Sequence, residues 1–134
     1  MSACCAARRP ASGFSVQDCL ERGMETRRLS PLPLRGQTVQ AASGLHAGFS
    51  AAVLDGRLKT LQFECSACST LVAYCQAMVD MLVNQPINSP AVPALDTLIA
   101  RVSGVPPLLQ DRAAIALGSC RALMMTIQTN HQGG

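Results

Sequence analysis

The amino-acid sequence predicts an α+β fold in which helices cover one face of a small antiparallel sheet. Two segments with alternating apolar residues, 47–54 and 57–65, flank Asp55-Gly56, a dipeptide that favours a two-residue hairpin turn. Patterns of helical period follow the hairpin and do not alternate with further strands, an order that is typical of α+β domains. With 134 residues, the chain is long enough for one ordinary domain.

The beginning of the chain is predicted to be a flexible leader, residues 1–28. Its opening residues are small and basic and show no apolar periodicity, so they predict no buried element. Apolar positions over 14–24 fit a short helix with Ser15 as its cap. The folded domain is then expected to span residues 29–128, and the last residues, 129–134, are expected to fray.

The sheet is predicted from the hairpin and from the segment before it. Pro31 and Pro33, which are separated by one residue, exclude a helix in the segment before residue 34. A third strand can therefore form near 34–41. In the second strand of the hairpin, Leu61, Phe63 and Cys65 fall on one face and polar residues on the other. One face of the sheet is therefore expected to be buried.

Three helices are predicted after the hairpin. The first begins at about Ser69 or Thr70, either of which can cap it, and it carries one apolar stripe. The second is short and spans about 95–102. The third begins after its predicted cap, Asp111, and runs to about Thr126.

Charge and hydropathy argue against two kinds of partner. The net charge is only +3, and no aromatic residues alternate with the basic clusters to form a stacking platform, so we expect no nucleic-acid partner. No uninterrupted apolar run reaches the roughly 18 residues of a membrane-spanning helix, so we expect no membrane partner.

The cysteine content predicts the cellular location. Seven cysteines are an odd number, and the opening of the chain lacks the apolar core of a secretory signal. We therefore expect a reducing, cytoplasmic location in which cysteines are structural, catalytic or metal-binding. No catalytic triad, phosphate-binding loop or dinucleotide motif is present, so we expect a protein that is not an enzyme.

Cys65 and Cys68 form a C-x-x-C motif where the second strand meets the first long helix. This spacing lets two thiolates share a metal ion or form a disulfide, and the helix N-terminus favours a thiolate. This spacing supplies half of a zinc site, which makes zinc an alternative cofactor, although no second C-x-x-C or H-x-x-x-H motif supplies the other half. Core packing is the favoured role for Cys65, while core packing and chemistry are equally open for Cys68.

The remaining candidate donors are weaker. Cys75 and Cys120 lie in apolar helical stripes, and we interpret both as core residues. His46 stands directly before the first strand, near enough to the open end of the hairpin to approach Cys68. An exposed loop histidine is the favoured interpretation of His46.

The order of these parts resembles the NifU/IscU-type iron–sulfur cluster scaffold family. The resemblance covers about residues 28–127 and implies a SufE/NifU-like fold. The residues that carry it are Gly56 at the turn, Phe63 on the strand, Cys68 before the long helix, Ala73 within that helix, and Pro106-Pro107 before the last helix.

The resemblance also implies a set of cluster ligands, which this chain matches in part. Scaffold members of the family hold a two-iron two-sulfur cluster with three cysteines, an aspartate and in some members a histidine. Cys68 stands at the second cysteine. The first cysteine, the aspartate and the third cysteine are replaced by Ser43, Leu45 and Arg112, and Asp111 stands at the histidine.

The implied metal ligands are then Cys68 and the nearby donors Cys65, Asp111 and His46. Three hypotheses follow. The chain is a scaffold-like protein that binds iron or a cluster, or accepts sulfur, at Cys68, with a cysteine desulfurase or other iron–sulfur assembly proteins as partners. Alternatively, it docks such partners without a cluster, or it is a small zinc-stabilised domain.

Overall fold

A computed structural model of the chain describes residues 14–26 and 32–133. In these ranges the fold is α+β, with four α-helices and a small antiparallel sheet, as predicted. The elements in chain order are β1 (Phe14–Ser15), α1 (Val16–Thr26), β2 (Leu34–Arg35), β3 (Val39–Gln40), β4 (His46–Leu54), β5 (Arg57–Cys65), α2 (Ser69–Leu82), α3 (Leu95–Arg101), β6 (Val102–Ser103), a 3₁₀ turn (Pro107–Leu109) and α4 (Arg112–Gly133).

The predicted hairpin is the centre of the sheet. β4 and β5 are antiparallel, and Leu54 pairs with Arg57 across the two turn residues. Asp55 and Gly56 have φ values of 56° and 73°, the left-handed conformation that this turn requires at both positions. The hairpin is therefore confirmed together with the chemical reason for its turn.

The third strand is present in two pieces. β2 and β3 both pair antiparallel with the edge of β4 that faces away from β5, at Ala51 and Ala47 respectively. Gly36, between the two pieces, donates its N–H to the carbonyl of Phe49 at 2.9 Å. A Cβ on Gly36 would lie 2.6 Å from the backbone of Leu123, so this glycine lets α4 approach the sheet.

One face of the sheet carries the core. The inward residues of β4 and β5 are all buried, and the rings of Phe49 and Phe63 pack with their centroids 5.9 Å apart. α4 packs against β4, and α2 packs against β5. The inward residues are Ala47, Phe49 and Ala51 of β4, and Leu61, Phe63 and Cys65 of β5.

α2 is more deeply buried than the sequence predicts. Every residue from Thr70 to Met78 is buried, although the pattern predicts a single apolar stripe. The reason is position, because α2 packs against β5, α1 and α4 at once. Small residues such as Ala73 and Ala77 allow this close packing on several sides.

α1 belongs to the folded domain, which therefore begins before residue 29. A Cβ on Gly23 of α1 would lie 2.6 Å from Cγ1 of Val72 in α2, which shows how closely the two helices approach. β1 pairs in parallel with β6, which also joins this region to the rest of the domain. Residues 1–13 of the predicted leader lie outside the described residues.

The last helix is longer than predicted. α4 continues to Gly133, whereas the sequence predicts an end at about Thr126 and a frayed tail over 129–134. No proline or glycine occurs between Thr126 and Gly133, so no helix-breaking residue ends the helix earlier. Among the described residues, no helix combines the length and apolar character needed to cross a lipid bilayer.

Candidate functional site

Cys68 lies at the corner where β5 gives way to α2. After Cys65 the chain turns sharply, and the N–H of Cys68 donates to the carbonyl of Ser66 at 2.7 Å. The carbonyl of Cys68 then accepts the N–H of Val72 at 2.9 Å, which begins the helix. α2 starts at Ser69 as predicted, but its cap residue is Cys68, whose side chain makes no capping hydrogen bond.

Cys68 is thus the N-cap residue of a 14-residue helix, and its side chain is not used to cap it. Cys68 is also the one partly exposed cysteine among the five in the described residues, the other four being buried. Its partial exposure makes its thiol the most accessible of the five to a reaction partner.

Arg112, the first residue of α4, brings a cation to the same corner. Its guanidinium hydrogen-bonds to the carboxylate of Asp111, with Nη1 and Oδ1 2.6 Å apart. Interaction with Asp111, and to a lesser extent with the nearby Cys68 side chain, raises the pKa of Arg112. The resemblance places Arg112 at the third cysteine of the scaffold family, and the fold brings that position near Cys68.

Two polar atoms near this corner are buried without a hydrogen-bond partner in the described part of the chain. They are the hydroxyl of Tyr74 on α2 and Nε of Arg112. Burial raises the pKa of Tyr74, and the charge of Asp111 raises it further, which places the hydroxyl within electrostatic range of that carboxylate. Both atoms are hydrogen-bond donors, so the corner has donor capacity suited to an anionic group.

His46 is held by Ser66 on the strand side of the corner. The N–H of His46 donates to Oγ of Ser66 at 2.9 Å, and Oγ also lies 2.9 Å from Nδ1 of the imidazole. The N–H of Ser66 donates to the carbonyl of His46 at 3.0 Å. These bonds fasten the end of β5 to the start of β4, so the Nδ1 side of His46 is used for structure.

Cys65 points into the core, as the alternation of β5 predicts. It is 3% exposed, and Cys75 on α2 and Cys120 on α4 are fully buried. Burial raises the pKa of Cys75 well above its ordinary value, with a smaller contribution from the nearby Cys65, and that of Cys120 to about 12. The buried positions predicted for these three cysteines are confirmed.

The donors do not fit a two-iron two-sulfur cluster or a zinc ion as they are placed here. Each group takes about four protein ligands. Within residues 14–26 and 32–133, no three or more His, Cys, Asp or Glu side chains are arranged to hold a metal ion. Cys65 is buried near Cys75, Asp111 pairs with Arg112, and His46 is bonded to Ser66. The ligand set with Cys68 stays a prediction, and we assign no step to a metal.

The fold is similar to that of a solved structure, the N-terminal part of a nitrogen-fixing NifU-like protein from Brucella abortus. The TM-score is 0.55 at 16% sequence identity, and the match covers 87% of this chain and 93% of that one. A hypothetical protein of known structure gives a TM-score of 0.42 at 12% identity, covering 82% and 93%. No protein-family model and no curated protein sequence matches the chain. The first likeness shows that the chain has a NifU-like fold.

Proposed function

We propose that this chain is a sulfur-accepting protein of iron–sulfur cluster assembly and that Cys68 is the accepting residue. The observation that carries the proposal is the position of Cys68, partly exposed at the start of α2 with the guanidinium of Arg112 nearby. The NifU-like fold supports the setting of iron–sulfur assembly at a coarse level. In this proposal the protein is a carrier and not an enzyme.

The transfer itself is a thiol exchange. The thiolate of Cys68 attacks the outer sulfur of a persulfide on a donor such as a cysteine desulfurase. A new S–S bond forms on Cys68, the S–S bond of the donor breaks, and the donor cysteine leaves as a thiolate that takes up a proton. After transfer, an ionised persulfide carries its negative charge on the outer sulfur, and the nearby guanidinium of Arg112 favours that charge.

Arg112 also explains why sulfur is a better cargo than iron. An arginine keeps its positive charge at any pH that a protein experiences. A guanidinium near the Cys68 sulfur disfavours a metal cation at that atom and favours an anionic persulfide. Arginine at the position of the family's third cysteine thus favours an anion over a cation at Cys68.

Sulfur uptake can be tested directly by mass spectrometry. The Cys65→Ala variant is incubated with a cysteine desulfurase and cysteine, because removal of Cys65 prevents the C-x-x-C pair from closing on the loaded sulfur. We expect one added sulfur atom per chain on the peptide that contains Cys68. A further Cys68→Ser change abolishes it, and Cys19→Ala, which removes a buried cysteine of α1, leaves it intact. Failure of Cys68 to take up sulfur contradicts the proposal.

A second candidate function is docking of assembly partners without transfer of sulfur. It is favoured by the ligand positions that this chain does not match, Ser43, Leu45 and Arg112. Under this alternative Cys68→Ser leaves binding to a desulfurase and function in assembly unchanged. Under the proposed function the same variant binds the desulfurase but no longer takes sulfur from it.

A further inference from the structure

The hydroxyl of Ser66 takes a place in the sheet that a backbone carbonyl ordinarily takes. The ladder between β4 and β5 runs to the pair Ala47 and Cys65, so the next residues in register are His46 and Ser66. Two residues placed in this way in a regular antiparallel ladder exchange both of their backbone hydrogen bonds. Here the N–H of Ser66 donates to the carbonyl of His46 at 3.0 Å, but the N–H of His46 donates to Oγ of Ser66 at 2.9 Å.

This change of acceptor leaves the carbonyl of Ser66 for the turn that follows. That carbonyl accepts the N–H of Cys68 at 2.7 Å, a bond between residues two apart that closes the corner between β5 and α2. Nδ1 of His46 also lies 2.9 Å from Oγ of Ser66 and holds the hydroxyl in place. One serine therefore completes the ladder with its side chain and holds Cys68 with its backbone.

Hydrogen bonds fix the backbone of Cys68 where the corner lies open to solvent. Ala67 and Ser69, on either side of Cys68, are exposed. The N–H of Cys68 is bonded to the carbonyl of Ser66, and its own carbonyl accepts the N–H of Val72 at 2.9 Å. The first of these two bonds depends on the hydroxyl of Ser66, because without the hydroxyl the ladder also requires that carbonyl.

We propose that Ser66 is a positioning residue for sulfur uptake, which acts by fixing the backbone of Cys68 through this change of acceptor. The inference rests on the proposed function, because it concerns the attack of Cys68 on a persulfide. That attack needs the sulfur of Cys68 aligned with the S–S bond that breaks, and a backbone that is already fixed lowers the orientational cost. In this role Ser66 acts through Cys68 and not on the transferred sulfur.

Alanine at position 66 cannot satisfy both bonds. Without the hydroxyl, the carbonyl of residue 66 either returns to the ladder and releases the N–H of Cys68, or stays in the turn and leaves the N–H of His46 without its acceptor. Either outcome loosens the corner. Threonine carries a hydroxyl on the same carbon as serine and keeps both bonds.

Hydrogen exchange followed by NMR tests the bonding in the parent chain itself. We expect the backbone N–H groups of His46 and Cys68 to exchange at least roughly tenfold more slowly than those of an unstructured chain. In Ser66→Ala one of the two should lose this protection, and in Ser66→Thr both should keep it. An unprotected N–H at Cys68 in the parent chain overturns the inference, whether or not Ser66→Ala folds.

The rate of sulfur uptake shows whether this bonding matters for the reaction. The rate is measured against the concentration of cysteine desulfurase in the Cys65→Ala background, by alkylation and peptide mass spectrometry. Ser66→Ala should lower the maximal rate by roughly tenfold and leave the half-saturating concentration of desulfurase unchanged, because docking is intact but Cys68 is held less firmly. Ser66→Thr should restore the maximal rate to within about twofold of the parent.

Two controls separate position from reactivity. Ser69→Ala removes an exposed hydroxyl on the other side of Cys68 and should take up sulfur at the parent rate. Alkylation by iodoacetamide needs no alignment with a docked donor, so Cys68 should react with it at similar rates in the parent and in Ser66→Ala. An equal loss of alkylation and of sulfur uptake would overturn the positioning role, because the thiol itself would have changed.

The two proposals fail in different ways. Absence of sulfur from Cys68 in a folded chain that retains Ser66 overturns the proposed function and this inference with it. Uptake that Ser66→Ala leaves unchanged, or that Ser66→Thr does not restore, overturns the inference alone. A raised half-saturating concentration at an unchanged maximal rate also overturns it, because Ser66 would then serve docking.

Discussion

Two arginines, each beside α2, show how the same side chain serves different ends. Arg22 of α1 lies between two carboxylates, Asp18 and Asp80, with 3.1 Å between its Nη2 and Oδ2 of Asp18. Arg112 of α4 has one carboxylate, Asp111, which is 73% exposed, and it lies near the side chain of Cys68. The first arginine fastens two helices together. The second provides positive charge at a thiol.

The polar groups near the two arginines also differ in how many of them are hydrogen-bonded. Near Arg22, the hydroxyl of Thr26 donates to Oε1 of Gln76 at 2.7 Å, and Nε2 of Gln76 donates to Asp80 at 3.0 Å. Near Arg112, by contrast, the buried hydroxyl of Tyr74 has no hydrogen-bond partner among the described residues. A contact between helices that pairs its polar groups stabilises the fold, while a corner that keeps donors unpaired retains the capacity to bind.

The largest expected effect is on the stability of the contact between α1 and α2. Gly23→Ala places a Cβ 2.6 Å from Cγ1 of Val72 and 3.1 Å from its carbonyl oxygen. The overpacking should lower the free energy of unfolding by about 1 to 3 kcal/mol, measured by urea denaturation.

The matched control is another helical glycine. A Cβ on Gly118 of α4 meets only Val39, at an ordinary 3.9 Å. Gly118→Ala should therefore raise the free energy of unfolding by up to about 1 kcal/mol through helix propensity. Equal effects of the two substitutions would contradict the close approach of α1 and α2.

Replacement of each arginine by glutamine should distinguish a structural role from a chemical one. In the Cys65→Ala background, Arg112→Gln should slow sulfur uptake by Cys68 by roughly tenfold, because it removes the positive charge near the reacting sulfur atoms. It should leave the urea midpoint unchanged. The rate is measured by alkylation and peptide mass spectrometry at timed intervals.

Arg22→Gln should give the reverse result. It should lower the free energy of unfolding by about 1 kcal/mol, a value that allows for solvent screening of this partly exposed group, and leave the rate of uptake unchanged. Loss of uptake in both variants, or in neither, would remove the distinction between the two arginines.

Stability should fall at alkaline pH because of the buried thiols. Burial raises the pKa of Cys120 from 9.0 to about 12, so the folded chain keeps a proton that the unfolded chain releases above pH 9. The stabilisation is complete below pH 9 and is lost progressively as the pH rises toward 12, by at most about 1.4 kcal/mol per pH unit for one group. Urea denaturation under reducing conditions at pH 8 and 10 measures the slope, which Cys120→Ala should reduce. An unchanged slope would show that Cys120 is not responsible.

The smallest expected effect concerns the unpaired hydroxyl at the corner. Tyr74→Phe removes a buried donor that has no partner in the described residues, so the stability should stay equal or rise by less than about 1 kcal/mol. If the hydroxyl assists the persulfide, uptake by Cys68 should slow by a few-fold. A loss of more than about 1 kcal/mol in urea denaturation would show that the hydroxyl is bonded in the folded protein.

The part of the fold that the sequence predicts is the part that depends on local chemistry. Asp55-Gly56 predicts the hairpin because few other dipeptides adopt positive φ twice, and the junction at Cys68 follows from the change of period from strand to helix. The sequence does not predict that α1 packs into the domain, because this packing depends on the close approach of Gly23 to Val72, which is far along the chain.

The candidate site is predictable at its centre and not in its surroundings. Alternation and the helix start single out Cys68, and the family resemblance brings attention to Arg112. The proximity of Cys65 to Cys75 and of Arg112 to Cys68 involves different elements, so it depends on packing that no local pattern encodes. The ligand set proposed from the resemblance could not reveal that Asp111 and His46 each have another partner.

The most direct test of the central proposal is to locate transferred sulfur on the chain after reaction with a cysteine desulfurase and cysteine. In the Cys65→Ala variant we predict a persulfide on Cys68 and on no other cysteine of the described region. Sulfur on a different cysteine of the described region instead of Cys68, or no sulfur on a chain that is folded, would contradict it.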